Sequence, residues 1–247
     1  MFNDKYIKSV SLKSQPPNNS YLSKLPIVNY LYENELVFEK EVTFLVGENG
    51  TGKSTLLEAI AIAFGFNAEG GTKNFNFSTN NTHSNLSEYI KLSKTAFAKD
   101  GFFLRAESLY NVATFIEELD STASSAPKIS ESYGGASLHH QSHGESFLSL
   151  VQNRFGGNGL YILDEPESAL SPQRQMVLIA EINRLIKNNS QFIIATHSPI
   201  LMTFPNAQIF QLSETGIDLV KFEDTEHFQL TKRFLNYPQQ MLKYLLE

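Results

Sequence analysis

The sequence predicts an α/β fold with a mainly parallel core sheet covered by helices. Three observations carry that reading. The runs "VTFLV" (42–46), "GLYILDE" (159–165) and "QFIIAT" (191–196) are short, apolar and rich in β-branched residues, the pattern of buried strands. Longer stretches with helical spacing follow the first two of these strands, at 53–64 and 172–187. Strand, helix and strand in alternation require crossover connections, which join parallel neighbours and lay helices over the sheet.

Taken in order, "YIKSVSL" (6–12) alternates and reads as a strand, and "QPPNNS" as a loop. The strand at Val42–Val46 runs into a glycine-rich bend, and the helix from Lys53 to Phe64 ends near Gly65. Residues 67–85 are rich in Asn, Gly, Ser and Thr and read as a long loop. "LSEYIKLSKTAFA" (86–98) is expected to be helical, "GFFLRA" a strand and "SLYNVATFIEEL" a helix. "DSTASSAPKISES" lacks periodicity and reads as a mobile loop. Ser171 is placed to cap a helix with Pro172 at its first position, and Met176, Ile179, Ile182 or Asn183, and Ile186 would form its buried face. "AQIFQL" and "IDLVKF" flank "SETG" as a hairpin, and two short helices split by Pro238 finish the chain. No internal repeat and no heptad seam is visible.

Composition narrows the function classes. The 247 residues, 41% hydrophobic, suit one large soluble domain or two small ones. No apolar run reaches the length of a membrane span, and "MFNDKYIKSVSLK" has no signal-peptide core, so no membrane insertion is expected. The chain has no cysteine, which removes disulfides and thiolate metal sites and fits a cytoplasmic protein. With 26 acidic against 20 basic residues the net charge is −6, the wrong sign for a polyanion binder. Lys91, Lys94 and Lys99 read as a solvated helix face, and nucleic-acid binding by this chain alone is not favoured.

The bend carries the most specific chemistry. "GENGTGKST" matches G-x-x-x-x-G-K-[ST] at Gly47, Gly52, Lys53 and Ser54, with a strand before it and a helix after it. Such a loop turns successive backbone N–H groups inward, here those of Glu48, Asn49, Gly50 and Thr51, to cradle phosphate oxygens. The helix N-terminus adds positive potential. Lys53 reaches the terminal phosphates, the Ser54 hydroxyl can ligate Mg²⁺, and Thr55 lies near the α-phosphate. The competing reading, a glycine hinge beside a surface lysine, does not explain the full pattern. The bend is expected to hold a nucleoside triphosphate.

Asp164 and Glu165 end an apolar strand, at the sheet edge where parallel α/β proteins bind ligands. Asp164 is the candidate metal residue, acting through water, because Mg²⁺ retains several waters. Glu165 is the candidate for polarising the attacking water. An acidic pair is common in loops, but "PESAL" after it and the phosphate loop before it favour the functional reading. His197, in "FIIATHSP", belongs to the same edge and could contact the γ-phosphate and sense its loss, although a lone histidine there is often structural.

"GENGTGKST", "LYILDEPESALSP" and "ATHSP", in this order, resemble the ATP-binding cassette ATPases, and "VTFLVGENGTGKSTLLEAIA" and "GFFLRAESLYNVATF" are similar to small soluble ATPases related to SMC-like and OLD-type heads. The resemblance implies a P-loop NTPase fold: one domain over 1–247, with N-terminal antiparallel strands and a helical signature lobe at roughly 86–150. It implies ATP hydrolysis with Mg²⁺. It also implies a signature motif, for which "HHQSHGESFLSLVQ" offers Ser142, Gly144 and Glu145 as the family's Ser, second Gly and Gln, while His143 departs from the commoner glycine. Independently, Ser142-x-x-Glu145 is a capping-box pattern and Phe147, Leu148 and Val151 form an apolar helix face. A serine and a glycine at a helix start make an anion site. His139, His140 and His143 could be read as a metal cluster, but they precede the helix and lack flanking acidic or sulfur ligands.

In the family the signature serine contacts the γ-phosphate held by another subunit, so a head-to-tail, nucleotide-dependent homodimer around two ATP molecules is implied. "SALS" (168–171) resembles the loop crossing that interface, with Ser171 where Asp is frequent. Glu107 occupies the place of the family's glutamine, where a carboxylate could bind Mg²⁺ or the attacking water, with Arg105 or neither residue as the alternatives. Tyr6, Tyr21, Tyr30 and Tyr32 remain open as adenine platforms. The implied function is a soluble ATPase driving conformational change in a larger complex with an unidentified protein partner, in DNA maintenance or defence. The alternatives are a transporter's ATPase subunit and a nucleotide-gated binding module with little turnover. A GTPase or P-loop kinase fits less well, because N-K-x-D is absent and neither class explains Ser142 together with His197.

Overall fold

The computed structural model describes residues 5–68, 70–72, 84–106, 109–121 and 142–246. The strands are β1 (Ile7–Leu12), β2 (Leu36–Val37), β3 (Val42–Gly47), β4 (Ile90–Lys94), β5 (Asp100–Arg105), β6 (Gly159–Asp164), β7 (Gln191–Ala195), β8 (Gln208–Ser213) and β9 (Gly216–Val220). The helices are α1 (Pro26–Glu33), α2 (Lys53–Phe64), α3 (Leu109–Ser121), α4 (His143–Arg154), α5 (Pro172–Ile186), α6 (Pro199–Met202), α7 (Glu226–Asn236) and α8 (Pro238–Leu246).

A central sheet runs in the order β5-β6-β7-β3-β8-β9. All its neighbouring pairs are parallel except β8 and β9, which form the expected hairpin. Parallel strands covered on both faces must be apolar on both, which explains their unbroken hydrophobic runs. Val42, Phe44, Phe102, Tyr161, Phe192 and Ile194 point into one core, with α3, α4 and α5. The alternate residues Leu45, Phe103, Ile162, Ile193 and Ala195 point into a second core, with α1 and α2. Beyond that second core, β2, β1 and β4 make a small antiparallel sheet. Gln191 ties the two sheets together: its side chain accepts from the Ile7 N–H at 2.9 Å and donates to the Ile7 carbonyl at 2.8 Å.

Two local expectations are corrected. Residues 86–98 do not form a helix. Asn85–Glu88 make a single 3₁₀ turn and Ile90–Lys94 become β4, because Ile90 and Leu92 alternate with polar neighbours and pair across β1. Cross-strand pairing outweighs the weak helical pattern there. Lys91 and Lys94 therefore lie on a strand, and Lys94 covers the Phe64 ring at 4.8 Å. On α5 Ile182 is buried as expected and Ile179 and Ile186 pack half-buried on the same core, but the fully buried face is Gln175, Leu178, Ile182 and Leu185, and Met176 is exposed. The stretch 122–132 of the Ser-rich segment and most of 67–85 lie outside the described residues. Within 86–150 the chain contributes β4, β5, α3 and most of α4.

The end of α4 is held by one half-buried carboxylate. Asp100, at the start of β5, accepts from Arg154 Nη1 at 2.8 Å, the Tyr161 hydroxyl at 2.7 Å and the Gly156 N–H at 2.9 Å. Burial alone would raise its pKa, but the Gly156 N–H, the Tyr161 hydroxyl and the Arg154 guanidinium hold it below the usual carboxylate range. Burial and Asp100 in turn push the Tyr161 hydroxyl far up. A folded-state value below the unfolded one means that ionised Asp100 stabilises the fold above about pH 4. That contribution is lost as pH falls from there through the depressed folded value. Asp100→Asn is expected to cost about 1–3 kcal/mol near neutral pH. Thermal unfolding at pH 7 and pH 3 checks this: the deficit should shrink at pH 3, and equal deficits would refute the linkage.

Candidate functional site

The phosphate-loop bend begins where β3 runs out. Gly47 has φ 137°, and a Cβ there would lie 2.2 Å from the Leu212 carbonyl oxygen of the adjacent β8, so no other residue fits. Glu48, Asn49 and Gly50 are exposed, Thr51 is buried, and α2 opens at Lys53 behind Gly52. Lys53 is buried and its ammonium folds back onto the loop, donating to the Gly47 carbonyl at 2.7 Å and the Glu48 carbonyl at 2.8 Å. Burial lowers its pKa, against the pull of Glu165, Asp164, Glu167 and Glu48. A buried ammonium held by two carbonyls and facing four carboxylates is short of a close anion. A triphosphate would supply one.

Asp164 ends β6 beside this loop. The Ser54 hydroxyl donates to Asp164 Oδ1 at 3.0 Å, and Arg105 Nε stands 3.4 Å from Oδ2 while its Nη1 pairs with Glu58 at 2.8 Å. Ser54 and Asp164 thus converge two hard oxygen donors, which suits Mg²⁺ bound with phosphate oxygens and waters. Among the described residues no group of three or more His, Cys, Asp or Glu side chains is arranged to hold a metal without such help.

Two depressions flank the convergence. One is lined by Leu25, Asn49, Gly50, Gly52, Lys53 and Thr55; the other by Arg105, Ala106, Asp164 and Ser168. Ser54 and Glu165 line both. Glu165 has φ 47° and ψ 54°, a left-handed conformation that costs a non-glycine residue about 1–3 kcal/mol. The strain turns the chain abruptly after β6 and leaves the carboxylate in the wall between the depressions.

His197 follows β7 on the same edge, with Nε2 3.6 Å from Glu165 Oε1. That Nε2 is buried and has no hydrogen-bond partner among the described residues. Its Nδ1 lies 2.8 Å from Nε2 of His227 on α7. Burial lowers the pKa of His197, helped by Lys53 and His227 and opposed by Glu165 and Glu48. Glu167 anchors the segment from below, accepting from the His197 N–H at 2.5 Å and the Thr196 hydroxyl at 2.7 Å. The turn after the acidic pair and the turn after β7 are therefore locked together.

The residues expected to form a signature lie elsewhere. Ser142 caps α4, and the Glu145 carboxylate accepts from its N–H at 3.0 Å and its hydroxyl at 2.7 Å. Arg174 on α5 donates to Ser142 Oγ at 3.1 Å and to Glu145 Oε1 at 3.0 Å. Gly144 is buried against that arginine, and a Cβ on it would come within 2.5 Å of Arg174 Nη1 and 2.8 Å of the Ala169 carbonyl. None of Ser142, Gly144 and Glu145 lines either depression. The structure therefore brings the phosphate loop, the acidic pair and His197 together within one chain and leaves Ser142, Gly144 and Glu145 apart from them.

Of the remaining candidates, Glu107, His139 and His140 lie outside the described residues, and His143 opens α4 in an exposed position. Tyr6 is buried and donates to the Asn189 carbonyl ahead of β7, at the opposite end of the strands from the loop. Tyr21 and Tyr32 are exposed, and Tyr30 is half-buried. Sequence reasoning assigned no role to Glu167, Arg174 or His227. Glu167 stands inside a quoted motif and could have been found there. His227 lies 30 residues beyond His197, in a segment without any motif.

A family model described as an AAA ATPase domain matches residues 21–154 and 146–202. No curated protein sequence matches the chain. Among solved structures, cbiO1 from Clostridium perfringens, described as part of the ABC transporter complex cbiONQ, is 14% identical with a TM-score of 0.54, covering 98% of this chain and 99% of its own. An SMC head bound to the C-winged helix domain of ScpA is 14% identical with a TM-score of 0.50, covering 87% of this chain and 98% of its own. Likeness at that identity speaks for the fold, that of ABC and SMC-type heads. With the family match running from the turn before α1 to the end of α6, the chain belongs to the AAA ATPase domain family and is an ATP-binding ATPase at that family level.

Proposed function

We propose that two copies of this chain clamp two Mg-ATP molecules head to tail, hydrolyse them, and pass the resulting motion to a protein partner in a larger complex. The observation that carries the reading is the division of the site. Phosphate loop and acidic pair share two depressions, while Ser142 and Gly144 lie outside both. A second copy would bring its signature helix over the first copy's γ-phosphate, and the first would return the contact. Such an isologous pair closes with two-fold symmetry.

Each residue then has a task. The N–H groups of the loop from Gly47 to Thr55 wrap the phosphates, and Lys53 exchanges its two carbonyl partners for β- and γ-phosphate oxygens. Ser54 and Asp164 hold Mg²⁺, which neutralises charge on the phosphates, and Glu107 is kept as a further candidate for that shell. Glu165 takes a proton as the water oxygen bonds to the γ-phosphorus. The bond from that phosphorus to the bridging oxygen breaks, and ADP leaves with its electron pair. His197 donates from Nε2 to the γ-phosphate. Loss of that phosphate removes the shared ligand and opens the pair. Without cysteine the chain suits the reducing cytoplasm. DNA maintenance or defence is the context we favour for such a soluble head over a transporter's ATPase subunit.

Calorimetric titration with ATP and Mg²⁺ tests the core of this. Lys53→Ala is expected to weaken ATP binding about 10- to 100-fold, the loss of one or two charge-assisted hydrogen bonds. Unchanged affinity in a folded variant would remove the loop from the nucleotide site.

A further inference from the structure

The 2.8 Å contact between His197 Nδ1 and His227 Nε2 needs one donor and one acceptor, and the choice determines what His197 offers on its other side. We propose that His227 is a positioning residue: its Nε2–H donates to His197 Nδ1 and so fixes His197 as the Nε2–H tautomer, with its single proton aimed at the γ-phosphate. The inference rests on the γ-phosphate role of His197 proposed above.

The surroundings of the pair select between the two arrangements. If His197 donated from Nδ1 instead, its Nε2 would present a bare lone pair to the Glu165 carboxylate at 3.6 Å and to the incoming phosphate oxygens. All of these are acceptors. That nitrogen is buried without a hydrogen-bond partner among the described residues, so none of them offers it a proton. With Nε2 protonated, the N–H has the carboxylate nearby and the phosphate as its partner when nucleotide binds. His227 must then supply the proton between the rings, which leaves its own Nδ1 without one.

The alternative of a charged ring is disfavoured. Burial lowers the pKa of both histidines, and the Lys53 ammonium lowers both further. Glu165 and Glu48 oppose this at His197, and Glu226 and Glu48 oppose it at His227, without reversing it. The rings are inclined at 63° with centroids 4.9 Å apart, so they meet through the nitrogen–nitrogen contact and do not stack face to face. The first turn of α7 thereby becomes part of the ATPase site, although no sequence motif reaches it.

Long-range proton–nitrogen correlation spectra of the ¹⁵N-histidine-labelled protein read the tautomer directly. The expected result is a proton on Nε2 of His197 in the wild type and in His227→Gln, whose amide can donate from a similar position. In His227→Phe the preference should weaken, since only Glu165 and the phosphate then favour the Nε2 proton, and ATP turnover should fall about tenfold with KM for ATP changed less than about twofold. His227→Gln should recover most of that loss. A purely structural role for His227 would not follow this donor series. Protonation of His197 at Nδ1 in the wild type would overturn the inference. So would wild-type turnover in His227→Phe when His197→Ala is inactive. Wild-type turnover in His197→Ala itself would instead overturn the γ-phosphate reading beneath it.

Discussion

Replacing Glu165 with Gln is expected to lower ATP turnover about 10²- to 10⁴-fold, the usual worth of a positioned general base, while leaving ATP affinity nearly unchanged. The substitution keeps the side-chain length and shape, turns one acceptor oxygen into an NH2 donor, and removes the negative charge and with it the ability to accept the water's proton. The Glu165 carboxylate takes no part in the hydrogen bonds from Lys53 to the Gly47 and Glu48 carbonyls or from Ser54 to Asp164, so the proposed phosphate and metal contacts survive. Its left-handed backbone is a property of the turn and is equally open to Gln. Once turnover stops, the ATP-bound pair has no route to opening. The mass in solution should therefore double with Mg-ATP and stay doubled, whereas wild type should return to the single-chain mass as ATP is consumed. Normal turnover by the variant would show that another group activates the water.

The second large effect is a recovery. Lys53→Ala removes a copy's phosphate grip, and Ser142→Asp sets a carboxylate against the partner's γ-phosphate. Asp is as good a helix cap as Ser. It loses the hydroxyl's donation to Glu145, but Arg174 already donates to both positions and can pair with both carboxylates, so α4 should stay folded. Each variant alone is expected to be nearly inactive. Mixed, they form pairs in which the intact phosphate loop of the Ser142→Asp copy meets the intact signature of the Lys53→Ala copy. Half the pairs then carry one good site of two, and activity should return to about a quarter of wild type. Two variants that stay silent when mixed, with heterodimers shown by mass, would rule out sites shared between copies. Recovery cannot arise if each chain completes its own site.

Much of this architecture was readable from the chain because the relevant residues are contiguous. A loop of nine residues from Gly47 to Thr55 carries its own turn geometry, donors and cation, and Asp164 and Glu165 follow their strand directly. Buried parallel strands declare themselves because both of their faces must be apolar. The stretch at 86–98 misled for the same physical reason in reverse. Its apolar residues satisfy both periods over so short a span, and the pairing of Ile90 and Leu92 across β1 decided between them. On α5 the face carrying Leu178, Ile182 and Leu185 turned inward and Met176 outward, by a rotation that composition does not specify.

What folding alone settled is every contact between residues far apart in the chain. Arg174 reaches Ser142 and Glu145 across two helices, Asp100 gathers Arg154, Gly156 and Tyr161, and Glu167 holds the backbone of His197. His227 meets His197 only because α7 packs beside α6. Local sequence dictates dihedral preference and the chemistry on offer within a few residues. Which distant side chain completes a hydrogen bond depends on how helices and sheet pack against a shared core, and no spacing along the chain encodes that.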